Sequence, residues 1–571
     1  MLACQVNHAL GGCPRSFRRE NSGVISPFSA STRSASLAEL ADQAVDILVI
    51  GGGITGAGIA RDAAMRGFRT ALVERGDFAT GTSGRSSRLV HGGLRYLERR
   101  AFHLVRESVR ERRTLLRIAP HLVWPRSFLF PLFAGGRVPR WQLAAGMWLY
   151  DALASFGNVE RHRWLSKRAL LQAEPRLRAD DLLGGPRYFD AQCDDARLTL
   201  VNARDAHRLG ALIASYTEVQ GFDRAAGRIR AARLRDRLSG DTLVARARVI
   251  VNATGPWSDV VRQDGRELLV FSKGAHVIVP RARIGLTEAV TMLSPVDGRV
   301  LFALPWDDLA YIGTTETPLE HLPDDVTTDA DDVVYLLRSG NAMFPDARLQ
   351  PDDIIATWAG IRPLVRPPSA MEAGAVSREH VIVQAPGLVS VLGGKLTTYR
   401  RMAAQAVDRA AEALHALDGR QVPHAAATAR EPLPGGETAD LDLIVAEVER
   451  EGLPSTTARR LVRRYGTEAP AVARLAAATP PLATRVATGA TAIRAELVHA
   501  IHREMALTLS DLLIRRTHVF YETPGHGLPE AAELAALVAP EMGWDAARCA
   551  AEVEAYRAEV ARAEAFRHQL R

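Results

Sequence analysis

Cysteine is scarce in this chain: the four in its 571 residues, Cys4, Cys13, Cys193 and Cys549, form no C-x-x-C and no zinc spacing. That excludes a disulfide framework and fits a reducing compartment. H-E-x-x-H and EF-hand loops are also missing, so no metal is expected. No run of about 18 uninterrupted apolar residues occurs, which argues against a spanning helix. Near the start there is no apolar core of the length a secretory signal needs. Lysine is rare, and arginine carries most of the basic charge that gives a net +7. Such a balance favours acidic partners: phosphorylated metabolites, anionic lipid or nucleic acid. The arginine pairs are scattered and form no cationic stripe with interleaved aromatics, so nucleic acid is not expected as a partner. Thr82-Ser83-Gly84 resembles part of a nucleophile elbow, but Arg85 stands where the second glycine is needed, which excludes a serine hydrolase.

What is present is concentrated in residues 46–74. A short apolar strand, Asp46-Ile-Leu-Val-Ile50, leads into Gly51-Gly-Gly53-Ile-Thr-Gly56, then a helix and a second strand ending in Glu74. Gly51 allows the tight turn, Gly53 lets the backbone approach a pyrophosphate, and Gly56 lets the helix pack on the strand. The helix N-terminus, with Ile54 and Thr55, presents free N–H groups and the positive end of its dipole to phosphates. Glu74 is placed to accept hydrogen bonds from ribose hydroxyls. This is a dinucleotide site, and from these residues alone NAD and FAD fit equally. No second G-x-G-x-x-G and no redox C-x4-C is present, which argues against reductases that carry NAD(P)H and a flavin together.

The length allows two or three domains. Residues 1–44 are rich in Ser, Ala and Arg without periodicity; they read as a disordered overhang, or else as a transit peptide, with the folded part beginning near Val45. Residues 103–118 read as an amphipathic helix. Residues 122–150 gather Trp124, Phe128, Phe130, Phe133, Trp141, Trp148 and Tyr150 around Arg137 and Arg140, a composition that suits a membrane interface or a core segment under a substrate domain. Strands are expected over 243–252, 275–279, 300–304, 310–314 and 388–392, giving a β-rich substrate layer inserted into the nucleotide domain. The turn at Gly393-Gly394 leads into a helix and offers N–H groups to a second part of the cofactor. Pro432-Leu-Pro434-Gly435-Gly436 marks a linker. The fold class is therefore α/β: a Rossmann-like cofactor domain over 45–430 with the β-rich insert, then a separate α-helical domain over 437–571. Arg459-Arg460, Arg463-Arg464 and Arg515-Arg516 read as solvated faces.

Seven further strings, in order, resemble the FAD-dependent glycerol-3-phosphate dehydrogenases, members of the D-amino-acid oxidase-like flavoproteins. They are Gly51 to Gly58, His91-Gly-Gly-Leu-Arg-Tyr-Leu97, Asp194-Asp-Ala-Arg197, Val251-Asn-Ala-Thr-Gly-Pro-Trp257, Ile312-Gly-Thr-Thr315, Gly360-Ile-Arg-Pro-Leu364 and Gly393-Gly-Lys-Leu-Thr-Thr-Tyr-Arg400. The helical region resembles the family's through Leu509 to Thr517. Glu316, where aspartate is usual, and Arg88, where lysine is common, depart from the pattern. The calcium-binding extension of mitochondrial members is not found, and residues 1–44 match nothing in the family. The resemblance implies bound FAD, oxidation of sn-glycerol 3-phosphate to dihydroxyacetone phosphate, and transfer of electrons to a membrane quinone by a cytoplasmic protein held peripherally at the inner face of the membrane, with a homodimer compatible. The alternatives are a glycerol-3-phosphate oxidase of the same fold that uses oxygen, or another FAD-dependent oxidoreductase of the D-amino-acid oxidase-like fold.

By the same resemblance, Arg362, Arg378 and Lys395, joined by Arg95 and Tyr96, would clamp the substrate phosphate, a task suited to the forked and permanently charged guanidinium. His91 is the first candidate to take the hydroxyl proton, against a role limited to hydrogen-bonding the flavin. His276 is the second, against a satisfied core residue. The cofactor set extends from the turn to Ser86, Ser87, Gly92, Gly93, Thr254, Gly255, Trp257, Gly394, Lys395, Leu396 and Thr397.

Overall fold

A computed structural model of the chain describes residues 27–93, 101–154, 159–366, 379–419, 421 and 427–570. The centre of the cofactor domain is a run of five parallel strands in the order Leu388–Gly393, Thr242–Asn252, Val45–Ile50, Thr70–Val73 and Leu212–Ala214. Such strands are covered on both faces and so read as continuous apolar runs, as Val45–Ile50 does. His380–Ala385 closes one edge antiparallel, and the hairpin Thr217–Ala225 and Arg228–Asp236 extends from Thr242–Asn252. The helix Ile54–Met65 lies against the helices Asp195–Arg208 and Tyr399–Asp418. Small residues make this approach close: a Cβ on Gly58 would sit 2.9 Å from the Tyr399 ring.

The second sheet runs Thr317–Leu319, Leu269–Pro280, Leu309–Gly313, Val300–Trp306, Ala289–Leu293, Val123–Leu129, Leu182–Cys193 and Leu89–Val90. Ala356–Val365 pairs antiparallel with Leu269–Pro280 from Leu269↔Val365 to Ile278↔Ala356. Its strands come from two stretches of chain, 89–193 and 269–365, that leave and re-enter the cofactor domain, which is the expected β-rich insert.

Two expectations need correction. The folded part does not begin near Val45: Ala30–Asp42 is a helix, and Phe28 packs in the cofactor-domain core. Arg33 is its anchor, bonded to Asp236 Oδ1 at 2.6 Å and Oδ2 at 3.0 Å and to the Ser215 carbonyl at 2.7 Å. A helix held by a buried arginine shows little apolar periodicity, so its pattern looked like a tail. The region after residue 437 is helical as expected, but its core is not separate. Leu512, Leu513, Phe520 and Tyr521 share one cluster with Phe128, Tyr188, Ile278, Tyr311 and Trp358 of the second sheet. Its arginine pairs are only partly solvated: Arg459 and Arg463 are exposed, whereas Arg464 and Arg516 are buried and Arg460 and Arg515 are largely so.

The aromatic segment is part core and part surface. Phe128, Met147 and Tyr150 are buried, while Trp141 and Trp148 on the helix Arg140–Leu153 are 74% and 59% exposed. No helix among the described residues is long and apolar enough to cross a membrane.

Candidate active site

The glycine turn has the geometry its sequence demands. Gly51 has φ +109°, and a Cβ there would lie 2.6 Å from the Ala253 carbonyl oxygen. At Gly56 a Cβ would meet the Gly51 carbonyl oxygen at 1.8 Å, so helix and strand can touch only without one. Gly53 is the N-cap of Ile54–Met65. Glu74 is half-buried, and its Oε2 accepts from Gly52 N at 2.6 Å while Oε1 accepts from Gly76 N at 2.8 Å. Burial raises its pKa, and these two N–H groups only partly offset that.

Beside the turn lies a cavity of roughly 900 Å³. Gly51, Gly53, Ile54, Thr55, Glu74, Ser86, Thr254, Gly255, Trp257, Gly394, Lys395 and Leu396 border it, as do Thr357–Ile361 and Pro363 of the second sheet. It runs from Glu74 to the strand Ala356–Val365 of the second sheet, and a Cβ-free turn with a helix N-terminus faces it. These residues fit a dinucleotide.

Other predicted residues lie around the cavity without lining it. Thr397 Oγ1 accepts from the His91 backbone N–H at 3.2 Å. Gly92 has a packing reason of its own: a Cβ would lie 2.2 Å from Tyr150 Oη, and its N–H donates to Asp190 Oδ1 at 3.0 Å. Gly93 has φ +79°. Lys395, which does border the cavity, donates through Nζ to Ser108 Oγ at 3.2 Å. Arg95, Tyr96 and Arg378 lie outside the described residues.

Strand register sets Arg362 and His276 on one face of neighbouring strands, four pairs apart, and the Arg362 guanidinium reaches back over Gly274 towards the histidine. Arg362 pairs with Ser272, and Trp358 with His276, on the neighbouring strand. The guanidinium of Arg362 donates to Thr314 Oγ1 at 2.7 Å and to the carbonyls of Thr315 and Lys273 at 3.2 and 3.3 Å. It occupies the space over Gly274, where a Cβ would come within 2.2 Å of Nη2. His276 lies stacked on Trp358, ring centroids 4.5 Å apart, with Nε2 2.9 Å from Ser87 Oγ. Gly313 makes room for it, since a Cβ there would meet the imidazole at 2.0 Å. Burial first, then the charges of Arg362 and Arg88, push the His276 pKa well below its usual value, so the ring is neutral at pH 7.

Several residues at this site have roles that their sequence neighbourhood does not reveal. Ser83 Oγ accepts from Ile54 N at 2.9 Å, so the small-residue string examined as a nucleophile elbow serves the glycine turn. Asp195 holds Ser86 through its N–H at 3.1 Å and hydroxyl at 2.7 Å. Burial raises the Asp195 pKa to about 6 against the opposing pull of Arg88 and Ser86. Arg88 itself stacks on Trp306 at 3.8 Å, between the second sheet and Tyr521 of the C-terminal region. Nothing in local sequence tells a serine or aspartate that it will face a turn 30 or 100 residues away.

Comparison with known proteins agrees with this geometry along the whole chain. A family model described as FAD dependent oxidoreductase matches residues 46–400, and one described as the C-terminal domain of alpha-glycerophosphate oxidase matches 426–549. Glycerol-3-phosphate dehydrogenase 2 of Mycobacterium tuberculosis is 39% identical over 543 residues, covering 92% of this chain and 90% of its own. The aerobic glycerol-3-phosphate dehydrogenase of Staphylococcus epidermidis is 35% identical, covering 84% and 88%. The X-ray structure of the glycerol-3-phosphate dehydrogenase from Bacillus halodurans complexed with FAD superposes with a TM-score of 0.78 at 31% identity, covering 94% of this chain and 98% of its own.

Proposed function

This chain belongs to the FAD-dependent glycerol-3-phosphate dehydrogenase family, and on that premise we propose that it oxidises sn-glycerol 3-phosphate to dihydroxyacetone phosphate and passes the electrons to a membrane quinone. FAD held in the 51–56 turn and the adjoining cavity supplies the hydride acceptor. The observation that supports the reading is the pair formed by Arg362, whose chain neighbours Ile361 and Pro363 border that cavity, and His276, which lies buried behind the bordering Trp358. A fixed guanidinium there can bind a phosphate near its dianionic state, and a neutral imidazole beside it can take a proton from the substrate hydroxyl. In this assignment Arg362, Lys395, Arg95, Tyr96 and Arg378 orient the phosphate, and His276 replaces His91 as the first candidate for the base. His91, whose backbone is fixed by Thr397, keeps the role of a flavin hydrogen-bond partner.

The exposed face of Arg140–Leu153 supports peripheral attachment to the inner face of the cytoplasmic membrane. It presents Trp141, Trp148 and Leu149 to solvent beside Arg140, whose guanidinium lies 4.9 Å from the Trp164 ring. Indole rings next to arginines suit the headgroup level of an anionic bilayer.

The match to the C-terminal domain of an oxidase favours oxygen as a second reading of the acceptor. Turnover of sn-glycerol 3-phosphate with a soluble quinone analogue under argon, set against peroxide production in air, separates the two. The dehydrogenase reading expects fast quinone-linked turnover and little peroxide. Oxygen-linked turnover at equal or greater rate would reassign the acceptor.

A further inference from the structure

Arg515 and Arg516 belong to none of the machinery above, yet both reach out of the C-terminal region into the cofactor domain. They end the π-helical segment Asp511–Arg516. Arg516 grips the Asp77 carboxylate with both arms, Nη1 to Oδ2 at 2.7 Å and Nη2 to Oδ1 at 2.8 Å, and Nη2 also donates to the Glu504 carbonyl at 2.9 Å. Arg515 Nε donates to the same Asp77 Oδ2, and its Nη2 to Asp511 Oδ1 at 2.7 Å. Tyr216 Oη donates to Asp511 at 2.6 Å. The side chains of Asp77, Asp511 and Arg516 are buried. Burial alone would push Asp77 up; the two guanidiniums outweigh it and hold the carboxyl below its usual range.

Asp77 stands three residues after Glu74, in a loop whose residues Arg75, Gly76, Asp77, Ala79 and Thr80 border the dinucleotide cavity. That loop shapes the ribose end of the site. Its Gly76 N–H holds Glu74, its Ala79 N–H donates to the Gly52 carbonyl at 3.2 Å, and the Tyr216 N–H donates to the Gly76 carbonyl at 2.8 Å. Arg515 and Tyr216 border the cavity themselves. Buried charge is a costly way to join domains that already share an apolar core. What it adds is direction: it fixes the path of one loop.

We propose that Arg515 and Arg516 are positioning residues for the cofactor, the C-terminal domain holding the Glu74–Thr80 loop through Asp77 in the shape that receives the adenosine end of FAD. FAD titrated into flavin-free, full-length protein and followed by quenching of its fluorescence tests this. Asp77→Asn keeps the side-chain shape and removes its charge; Arg515→Lys keeps the charge and breaks the Asp77–Asp511 bridge. The expected Kd for FAD rises at least tenfold in the first and severalfold in the second. KM for sn-glycerol 3-phosphate at saturating FAD stays within twofold. Amide exchange over residues 75–80 quickens in flavin-free Arg515→Lys and returns to the wild-type rate once FAD is added. A contact that only stabilises the fold would lower the Tm of both variants and leave the Kd for FAD unchanged, and that result overturns the proposal. If Asp77→Asn does not fold, Arg515→Lys decides alone through Kd and exchange. The Kd and exchange measurements need no assumption about the substrate, so their outcome is distinct from that of the proposed reaction.

Discussion

At the scale of single residues, the proposed reaction depends on a guanidinium seated where a glycine leaves room. Arg362→Ala removes charge-assisted bonds to the phosphate worth roughly 1.5–3 kcal/mol each, so kcat/KM should fall on the order of ten- to hundredfold with flavin content unchanged. Gly274→Ala should act in the same direction through KM, because the new methyl group takes the space of Arg362 Nη2. Steady-state kinetics and the ratio of flavin to protein absorbance check both; loss of flavin from Arg362→Ala would place this arginine at the cofactor instead. The sequence was informative here wherever a residue's role is local. Gly51, Gly53, Gly56 and Glu74 stand within one strand–turn–helix–strand unit, and their spacing declared them. The neutral state of His276 was not legible, since it comes first from burial, Trp358 of another strand stacking on the ring, and then from the charges of Arg362 and Arg88.

At the scale of elements, the helix Arg140–Leu153 makes a separate prediction. Replacing both Trp141 and Trp148 with glutamate should weaken cosedimentation with anionic vesicles at least severalfold, while turnover with a soluble quinone analogue is retained. Unchanged sedimentation would move the attachment surface elsewhere. A second element carries a pH dependence. Glu174, at the end of the helix Lys167–Ala173, is buried, and Oε1 accepts from Thr287 N at 2.7 Å and from Glu288 N. Burial raises its pKa from the ordinary 4.5 to about 7, against the two N–H groups. The folded state therefore holds an extra proton between these values, and stability falls as pH rises from 4.5 through 7. Glu174→Gln cannot ionise and still offers an acceptor to both amides. Its Tm should exceed that of the wild type above pH 7, with the gap closing towards pH 5. A variant less stable than the wild type at pH 8 would show that the carboxylate is favoured there. Element existence was largely legible: the amphipathic pattern over 103–118 became the helix Phe102–Ile118, and the apolar run before Gly393 became the strand Leu388–Gly393. The helix Ala30–Asp42 was not, because an arginine bonded across the fold anchors it.

At the scale of the whole molecule, the chain is one cofactor domain interrupted by a sheet and covered by helices that share its core. The order of motifs made the α/β class and the insertion visible, since each return to a parallel strand followed a glycine turn. The shared core was hidden. Amphipathic helices show that they bury a face, and not what they bury it against, so Leu512, Leu513 and Phe520 gave no hint of their sheet partners. The buried Arg515 and Arg516 looked like surface for the same reason: charge suggests solvent until a carboxylate such as Asp77 arrives from 438 residues away.

The central claim is that a bound flavin receives hydride from a small phosphorylated alcohol held by these cations. Its most direct test is an anaerobic titration of the purified yellow protein, following flavin absorbance, with lactate, glycerol and amino acids as controls. Stoichiometric bleaching by sn-glycerol 3-phosphate, slowed in Arg362→Ala, is expected, with none by the controls. Bleaching by an amino acid, with the phosphate ester inert, would contradict it.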